Sequence, residues 1–139
     1  MKLSKTAAHA ALAVAFLARQ PSDAPTQART VSEYLGVPVD SALKVLQALA
    51  RNGVIESRLG RAGGYCLTRA ADEVTLLQIV EAMDGPLVAR LPLAPREQRL
   101  GGELAALQAI CEEAATATRD KLTRATVADL LAEASAEAA

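Results

Sequence analysis

Three polar side chains that can read base edges lie at three-residue spacing in the first half of the chain. They are Ser41, Lys44 and Gln47, and this spacing places them on one face of a helix. Hydroxyl, ammonium and amide groups pair with base edges in a major groove. Arg58 lies directly before a glycine-rich segment and Arg61 within it, where guanidinium groups can bind phosphates or enter a minor groove. These residues predict contact with nucleic acid.

The residues that nucleophilic or metal chemistry needs are scarce. The chain has one histidine, His9, and two cysteines, Cys66 and Cys111, far apart in sequence. We find no metal-ligand spacing, no paired catalytic carboxylates in a motif and no phosphate-binding glycine loop, so we expect neither an enzyme nor a metal site. His9 is interpreted as a partly buried helix residue, Cys66 as an inert strand residue and Cys111 as interface packing. Redox sensing, including a Cys111–Cys111 bridge between two copies, is left open.

Charge is divided unevenly along the 139 residues. Residues 1–69 contain nine Lys or Arg against four acids, a formal charge of +5. Residues 70–139 contain six against twelve, a formal charge of −6, which gives the net charge of −1. A basic half predicts that one part of the molecule binds a polyanion.

The composition indicates a cytoplasmic, globular protein. Just over half the residues are hydrophobic and few are aromatic, which favours a closely packed core of Ala, Leu and Val. No apolar run reaches the roughly eighteen residues of a membrane span. The Ala-rich run after Lys2 and Lys5 superficially resembles a signal peptide, but its pattern is helical and His9 and Arg19 bracket it. Two distant cysteines fit a reducing cytoplasm.

To reach a groove, Ser41, Lys44 and Gln47 need a helix that a second short helix and a turn hold in place. A first helix is expected from about Ser4 to Arg19. The sequence Thr30-Val31-Ser32-Glu33 has the pattern of a capping box, which predicts a second, short helix ending at Gly36. Gly36-Val37-Pro38-Val39-Asp40 predicts a turn, because glycine permits left-handed backbone and proline interrupts helices.

A third helix is expected from about Val39 to Arg51. Leu43, Leu46 and Leu49 are placed on its buried face and Val45 at its edge. Asp40, Ser41, Lys44 and Gln47 then face solvent. Two helices joined in this way are typical of a helix-turn-helix.

A β-hairpin is expected directly after the third helix. Its flanks, residues 54–58 and 65–68, are β-prone, and the glycine-rich segment Leu59-Gly60-Arg61-Ala62-Gly63-Gly64 lies between them. After a helix-turn-helix such a hairpin is a wing, with Arg58 and Arg61 at its tip. The glycines are interpreted as structural and Tyr65 as packing.

The second half predicts three more helices. Thr75-Leu76-Leu77-Gln78 is a capping box that opens a helix to about Asp84. Residues 86–101, with three prolines and three arginines, are expected to be a mobile loop. A long helix from about Gly102 to Leu122 follows, and Thr126-Val127-Ala128-Asp129 caps a last helix to about Glu133. The long helix carries a narrow stripe that favours a partner helix, formed by Leu104, Leu107, Cys111, Ala114 and Thr118.

The chain resembles the Rrf-type winged-helix regulators, the group that contains IscR, NsrR and CymR. The likeness runs from Met1 to about Gly85 and is weaker beyond. It depends on the opening Met-Lys-Leu-Ser-Lys, on Leu46–Ile55 and on Gly60-Arg61-Ala62-Gly63-Gly64-Tyr65. The helix from Thr75 to Gly85 and the sequence Thr126-Val127-Ala128-Asp129-Leu130 also fit.

The resemblance implies a dimer on a palindromic operator, with the long helix at the dimer interface and the wing in the minor groove. Members of the group often hold an iron–sulfur cluster through three cysteines in the loop after the fourth helix. Here that loop, residues 86–101, has no cysteine, so no cluster is expected. Many relatives carry arginine where Leu59 stands, so a role for that position is not transferred. The neighbouring Arg58 and Arg61 are expected to take the place of that arginine in the minor groove.

These observations predict a mainly α protein with a small β-hairpin. Residues 1–85 are expected to form a winged helix-turn-helix domain, residues 86–101 a loop, and residues 102–139 a dimerisation helix and a C-terminal helix. The expected function is sequence-specific binding of double-stranded DNA by a homodimeric transcriptional regulator without a cofactor. A winged-helix protein-interaction module that does not bind DNA is the alternative. The sequence leaves the effector of this regulator unidentified.

Overall fold

The computed structural model describes residues 1–94 and 96–138, and within them it has six α-helices and one antiparallel hairpin. This confirms the predicted fold class. The helices are α1 Lys5–Ala18, α2 Ala28–Leu35, α3 Val39–Arg51, α4 Leu76–Asp84, α5 Gly102–Arg124 and α6 Val127–Ala138. The strands are β1 Ile55–Arg58 and β2 Gly64–Leu67. Two single 3-10 turns lie at Ala71–Glu73 and Glu97–Arg99.

The core is built around α1, whose buried positions are mostly alanine. Ala7, Ala10 and Ala13 are fully buried, and their small side chains let α4 pack close to α1. Leu46 and Leu49 of α3 complete the centre of this core. The core is thus aliphatic, as the composition predicts.

The start of α2 differs from the prediction. The helix begins at Ala28 after Gln27, whose extended backbone forms the N-cap without a side-chain hydrogen bond. Thr30 therefore lies inside the first turn, and the predicted capping box is wrong. Burial of Val31 against the core and pairing of Thr26 just before the helix fix this start. A cap is worth only about 1 kcal/mol, so these contacts decide it.

On α3 the predicted bounds are confirmed, and the buried face is shifted by one position. Ala42, Val45, Leu46 and Leu49 are buried, whereas Leu43 is only half-buried. The buried set follows the three-four spacing of a single helix face, and Leu43 lies beside it.

Two reciprocal caps position the later helices. The N–H of Gln78 donates to Oγ1 of Thr75 at 3.2 Å, and the N–H of Thr75 donates to Oε1 of Gln78 at 3.0 Å. Thr126 and Asp129 pair in the same way at α6, and the hydrogen bonds from Thr126 hold the pKa of Asp129 below its usual range. Both predicted caps are confirmed.

The two C-terminal helices are longer than expected. α5 reaches Arg124 rather than Leu122, and α6 reaches Ala138 rather than Glu133, since no glycine or proline interrupts α6. The N–H of Leu76 donates to the carbonyl of Ala125, and the N–H of Val127 donates to the carbonyl of Val74. These bonds join the end of α5 to the start of α4, and α6 then packs on α1.

Among the residues described, no helix combines the length and the apolar character that crossing a membrane requires.

Candidate nucleic-acid interface

The turn between α2 and α3 fixes the angle of the second helix. Gly36 ends α2 with left-handed backbone at φ 68°, which favours glycine. The N–H of Val37 donates to the carbonyl of Ser32 at 3.1 Å. Pro38 then forms the N-cap of α3 with φ −58°, close to the angle its ring imposes. The two helices are joined by a short turn with little freedom.

The three predicted base-reading residues lie together on α3. Ser41, Lys44 and Gln47 are all exposed, opposite the face that Leu46 and Leu49 bury. Asp40 is exposed in the first turn of the same helix. The helix therefore offers a row of hydrogen-bonding groups to solvent.

The start of α1 lies next to this row. Lys5, Thr6 and His9 line the same shallow groove as Ser41 and Lys44. Lys5 and Thr6 are exposed, and His9 is half-buried. The only signal for this in the sequence is the excess of cations in the first half, because the contact joins positions more than thirty residues apart.

The hairpin is held in a fixed position relative to α3. The N–H of Val54 donates to the carbonyl of Leu49 at 3.0 Å, across the connection between α3 and β1. Oγ1 of Thr68 donates to the carbonyl of Gly53 at 3.0 Å. β1 and β2 pair with Ile55 opposite Leu67 and Arg58 opposite Gly64. The wing is therefore an extension of the helix-turn-helix rather than a free arm.

The segment just before α2 also anchors the wing, a contact that the sequence did not predict. Thr26 and Tyr65 exchange two backbone hydrogen bonds, of 2.9 Å and 2.8 Å. A Cβ on Gly64 would lie 2.4 Å from the carbonyl oxygen of Thr26, and one on Gly63 would lie 2.3 Å from that of Arg58. Both glycines are therefore required by close backbone approach, as their structural interpretation predicts.

The two wing arginines differ in their partners. Nε and Nη2 of Arg58 donate to Oε1 of Glu56 at 3.3 Å and 3.2 Å, and both side chains are 47% exposed. Such a surface ion pair is worth about 1 kcal/mol or less, so a phosphate can replace Glu56. Arg61 is exposed in the loop between the strands and makes no ion pair or side-chain hydrogen bond with the residues described.

Cys66 lies in the wing and shares the carboxylate of Glu56. Its Sγ donates to Oε1 of Glu56 at 3.5 Å, and the side chain is buried. Burial, and after it this hydrogen bond, raises the pKa of the Cys66 thiol above its usual range. The thiol is thus protonated at neutral pH, which makes it a poor nucleophile and metal ligand.

The predicted dimerisation residues form a row along α5 with little cover from the rest of the chain. No side chain described on this helix is buried. Leu104, Cys111 and Thr118 are half-buried and Ala114 is exposed. Leu107 is 48% exposed, and Ile110 beside the row is 64% exposed.

The donor set does not fit a cluster held by three cysteines. Cys66 lies in β2 and Cys111 in α5, and the chain has no third cysteine. In the part of the chain that the structure describes, no three His, Cys, Asp or Glu residues are grouped so that they could hold a metal ion.

The assignment of the family comes from sequence comparison. Residues 3–133 match the family Rrf2, described as an iron-dependent transcriptional regulator. This chain belongs to the Rrf2 family of transcriptional regulators. The description of the family refers to iron, whereas the cysteines of this member do not match those of a three-cysteine cluster. As a family member it is a DNA-binding winged-helix regulator and not an enzyme.

Relatives support this membership. Protein rrf2 of Nitratidesulfovibrio vulgaris is 29% identical over 140 residues, which span 97% of this chain and 90% of that protein. An HTH-type transcriptional regulator of Synechocystis sp. is 32% identical over 87 residues, 63% of this chain and 59% of that protein. The second match therefore covers less than two thirds of either protein.

A solved structure shows the same fold. CymR, the global cysteine regulator of B. subtilis, superimposes with a TM-score of 0.76 at 20% identity. The match covers 96% of this chain and 98% of CymR. The arrangement of helix-turn-helix, wing and long α5 in this Rrf2 member is thus that of a known regulator fold.

Proposed function

We propose that this regulator acts as a homodimer that binds a palindromic operator through α3 and the wing. The observation that carries the proposal is the exposed row of Ser41, Lys44 and Gln47, next to a hairpin fixed on the end of the same helix. A recognition helix of this kind enters a major groove. Lys5, Arg61 and, after exchange of its Glu56 partner, Arg58 neutralise phosphates and release counterions.

The homodimer is supported by the uncovered row on α5. A long helix that exposes Leu107 and Ile110 and leaves Cys111 half-buried has an apolar surface that a second copy can cover. Two copies related by a two-fold axis present two α3 helices, so their half-sites are spaced by one or more helical turns of DNA. The two-fold axis itself makes the operator palindromic, because each copy reads the same half-site in the opposite direction.

The proposal includes regulation without an iron–sulfur cluster, in the cytoplasm where the DNA is. Support comes from the donor set, with one protonated thiol in the wing and one cysteine on α5. The test is the ultraviolet–visible spectrum of protein purified without oxygen. We expect no visible absorption band, and charge-transfer bands of bound iron–sulfur would overturn this part of the proposal.

DNA binding is tested by selecting duplexes from a random pool and measuring the affinity of the winners at two salt concentrations. We expect a palindrome and an affinity that falls steeply with salt. Lys44→Ala should change the preferred bases within each half-site, whereas an unchanged preference would reduce Lys44 to a phosphate contact. A wild-type protein that enriches no sequence would instead favour the protein-interaction module.

A further inference from the structure

Leu59 at the tip of the wing is almost wholly uncovered. It is 98% exposed, more than any other large hydrophobic side chain in the part of the chain described, and Ile110 on α5 is 64% exposed by comparison. Its position directly follows β1. The side chain therefore contributes no packing to the folded chain and is free to contact a partner.

The turn that carries Leu59 is narrow and closed. The N–H of Gly63 donates to the carbonyl of Gly60 at 3.0 Å, and Gly60 has φ +103°, a backbone that side chains rarely adopt. Gly63 leaves no room for a Cβ against Arg58. Of the five residues between the strands, only Leu59 and Arg61 bear long side chains. The tip presents one apolar group and one cation.

We propose that Leu59 enters the minor groove beside each half-site and disfavours G·C base pairs there, an inference that rests on the proposed function. Antiparallel strand axes are about 4.8 Å apart, so the hairpin with its own van der Waals thickness is wider than a minor groove of about 6 Å, and the part that enters is the single Leu59 side chain at the tip. Four residues of β1, at about 3.3 Å each, carry the tip about 13 Å from the end of the α3 connection. That length is close to the major groove's width of about 12 Å, so the tip reaches the backbone that borders the next minor groove.

The chemistry of leucine determines which base pairs it accepts. In the minor groove, G·C differs from A·T by the N2 amino group of guanine, a hydrogen-bond donor on the groove floor. An apolar side chain offers that donor no acceptor and removes its water, which is unfavourable. A·T pairs present acceptors, adenine N3 and thymine O2, but lack this donor, so an apolar side chain that covers them leaves one polar group fewer without a partner. Arg61 meanwhile remains free to bind a phosphate or the groove wall.

The test uses one duplex selected by the wild-type protein and scans its A·T pairs one at a time. Each pair is replaced by G·C and, separately, by inosine·C, which has the major-groove groups of G·C but lacks the N2 amino group. At the positions under the wing, G·C should weaken binding about tenfold, a usual cost of a mismatched pair. Inosine·C should restore the affinity there. Equal effects of both replacements throughout the duplex would overturn the inference.

Two variants assign the effect to the side chain. Leu59→Ala should bind G·C and inosine·C duplexes equally, with an unchanged melting temperature because Leu59 is exposed. Leu100→Ala, at a leucine that is 66% exposed in the 86–101 segment, should keep the wild-type discrimination. Discrimination that survives in Leu59→Ala would overturn the inference. A wild-type protein that selects no duplex would overturn the proposed function itself, which separates the two failures.

Discussion

At the scale of single residues, Arg58 and Arg61 stand three positions apart and differ in their availability to DNA. Arg58 is paired with Glu56, whereas Arg61 is exposed without such a partner among the residues described. Their chemistry is the same, so sequence analysis gave them equal roles. Because of this pairing, we expect Arg61 rather than Arg58 to bind a phosphate without first losing an interaction.

Replacement of Arg61 by alanine should weaken binding to all duplexes by a similar factor. Each lost phosphate contact lowers the dependence of log affinity on log salt by about one unit. The measurement is duplex affinity over a series of salt concentrations. Arg90→Ala, at an exposed arginine of the 86–101 segment, is the control and should leave the slope unchanged. A wild-type slope in Arg61→Ala would remove this residue from the interface.

Replacement of Glu56 by glutamine should strengthen DNA binding. The change removes a negative charge from the wing and releases the guanidinium of Arg58, which can then bind a phosphate. Affinity should rise and the salt slope should steepen by about one unit for each new phosphate contact. Glu113→Gln, at an exposed position of α5, changes net charge equally. An identical gain in both variants would show that overall charge alone, not the Arg58 pair, sets the effect.

At the scale of elements, local signals in the sequence predict most of the fold. Pro38 and Gly53 delimit α3, and the Thr75 cap delimits α4, because these residues act on the backbone next to them. The row on α3 follows from helical periodicity in the same way. The start of α2, which the prediction missed, depends instead on tertiary contacts of Val31 and Thr26.

Contacts between distant positions have no local signal. Thr26 pairs with Tyr65, and the hydroxyl of Ser4 donates to Asp84 at 2.6 Å. Nothing in the neighbourhood of either partner identifies the other. The anchoring of the wing and the approach of Lys5 and His9 to α3 therefore emerge only from the structure.

Replacement of Gly64 by alanine should loosen the wing from its anchor. The added Cβ would lie 2.4 Å from the carbonyl oxygen of Thr26, so the segments must separate and two hydrogen bonds weaken. We expect a loss of about 1–3 kcal/mol in the free energy of unfolding, measured by urea denaturation, together with weaker DNA binding.

Gly102→Ala is the matched control for this change. No atom lies within 4 Å of the Cβ position at Gly102, and alanine favours the helix that begins there. Its stability should equal or exceed that of the wild type. Equal stability of Gly64→Ala and the wild type would show that the Thr26 pairing contributes little.

At the scale of the whole molecule, the acidic half packs on the basic half where α4 and α6 contact α1, and a network inside the acidic half holds α5 on α4. Nη1 of Arg119 donates to Oε2 of Glu81 at 3.2 Å and to the carbonyl of Leu87 at 3.3 Å. This network holds α5 against α4 and fixes the start of the 86–101 segment. With a −6 half repelled by DNA and a +5 half attracted to it, we expect the molecule to approach a duplex with α3 and the wing first.

Dimerisation through α5 is tested by placing a charge on its uncovered row. Leu107→Lys would bury an ammonium group in the proposed interface, where an unpaired charge is strongly unfavourable. Within its own helix the lysine lies four residues after Glu103, a neighbour that favours it, so the folded chain should persist. Sedimentation should then give the mass of one chain instead of two, and affinity for a palindrome should fall to that for a single half-site.

Ala109→Lys introduces the same charge on the opposite side of α5, near Glu112 and Glu113, and should leave the assembly unchanged. Because both variants add one positive charge, a general electrostatic gain in DNA affinity is the same in each and cancels in the comparison. The difference between them reports the interface alone. A Leu107→Lys protein that still sediments as two chains would place the dimer contact elsewhere, and the spacing of half-sites would then have to follow from a different two-fold axis.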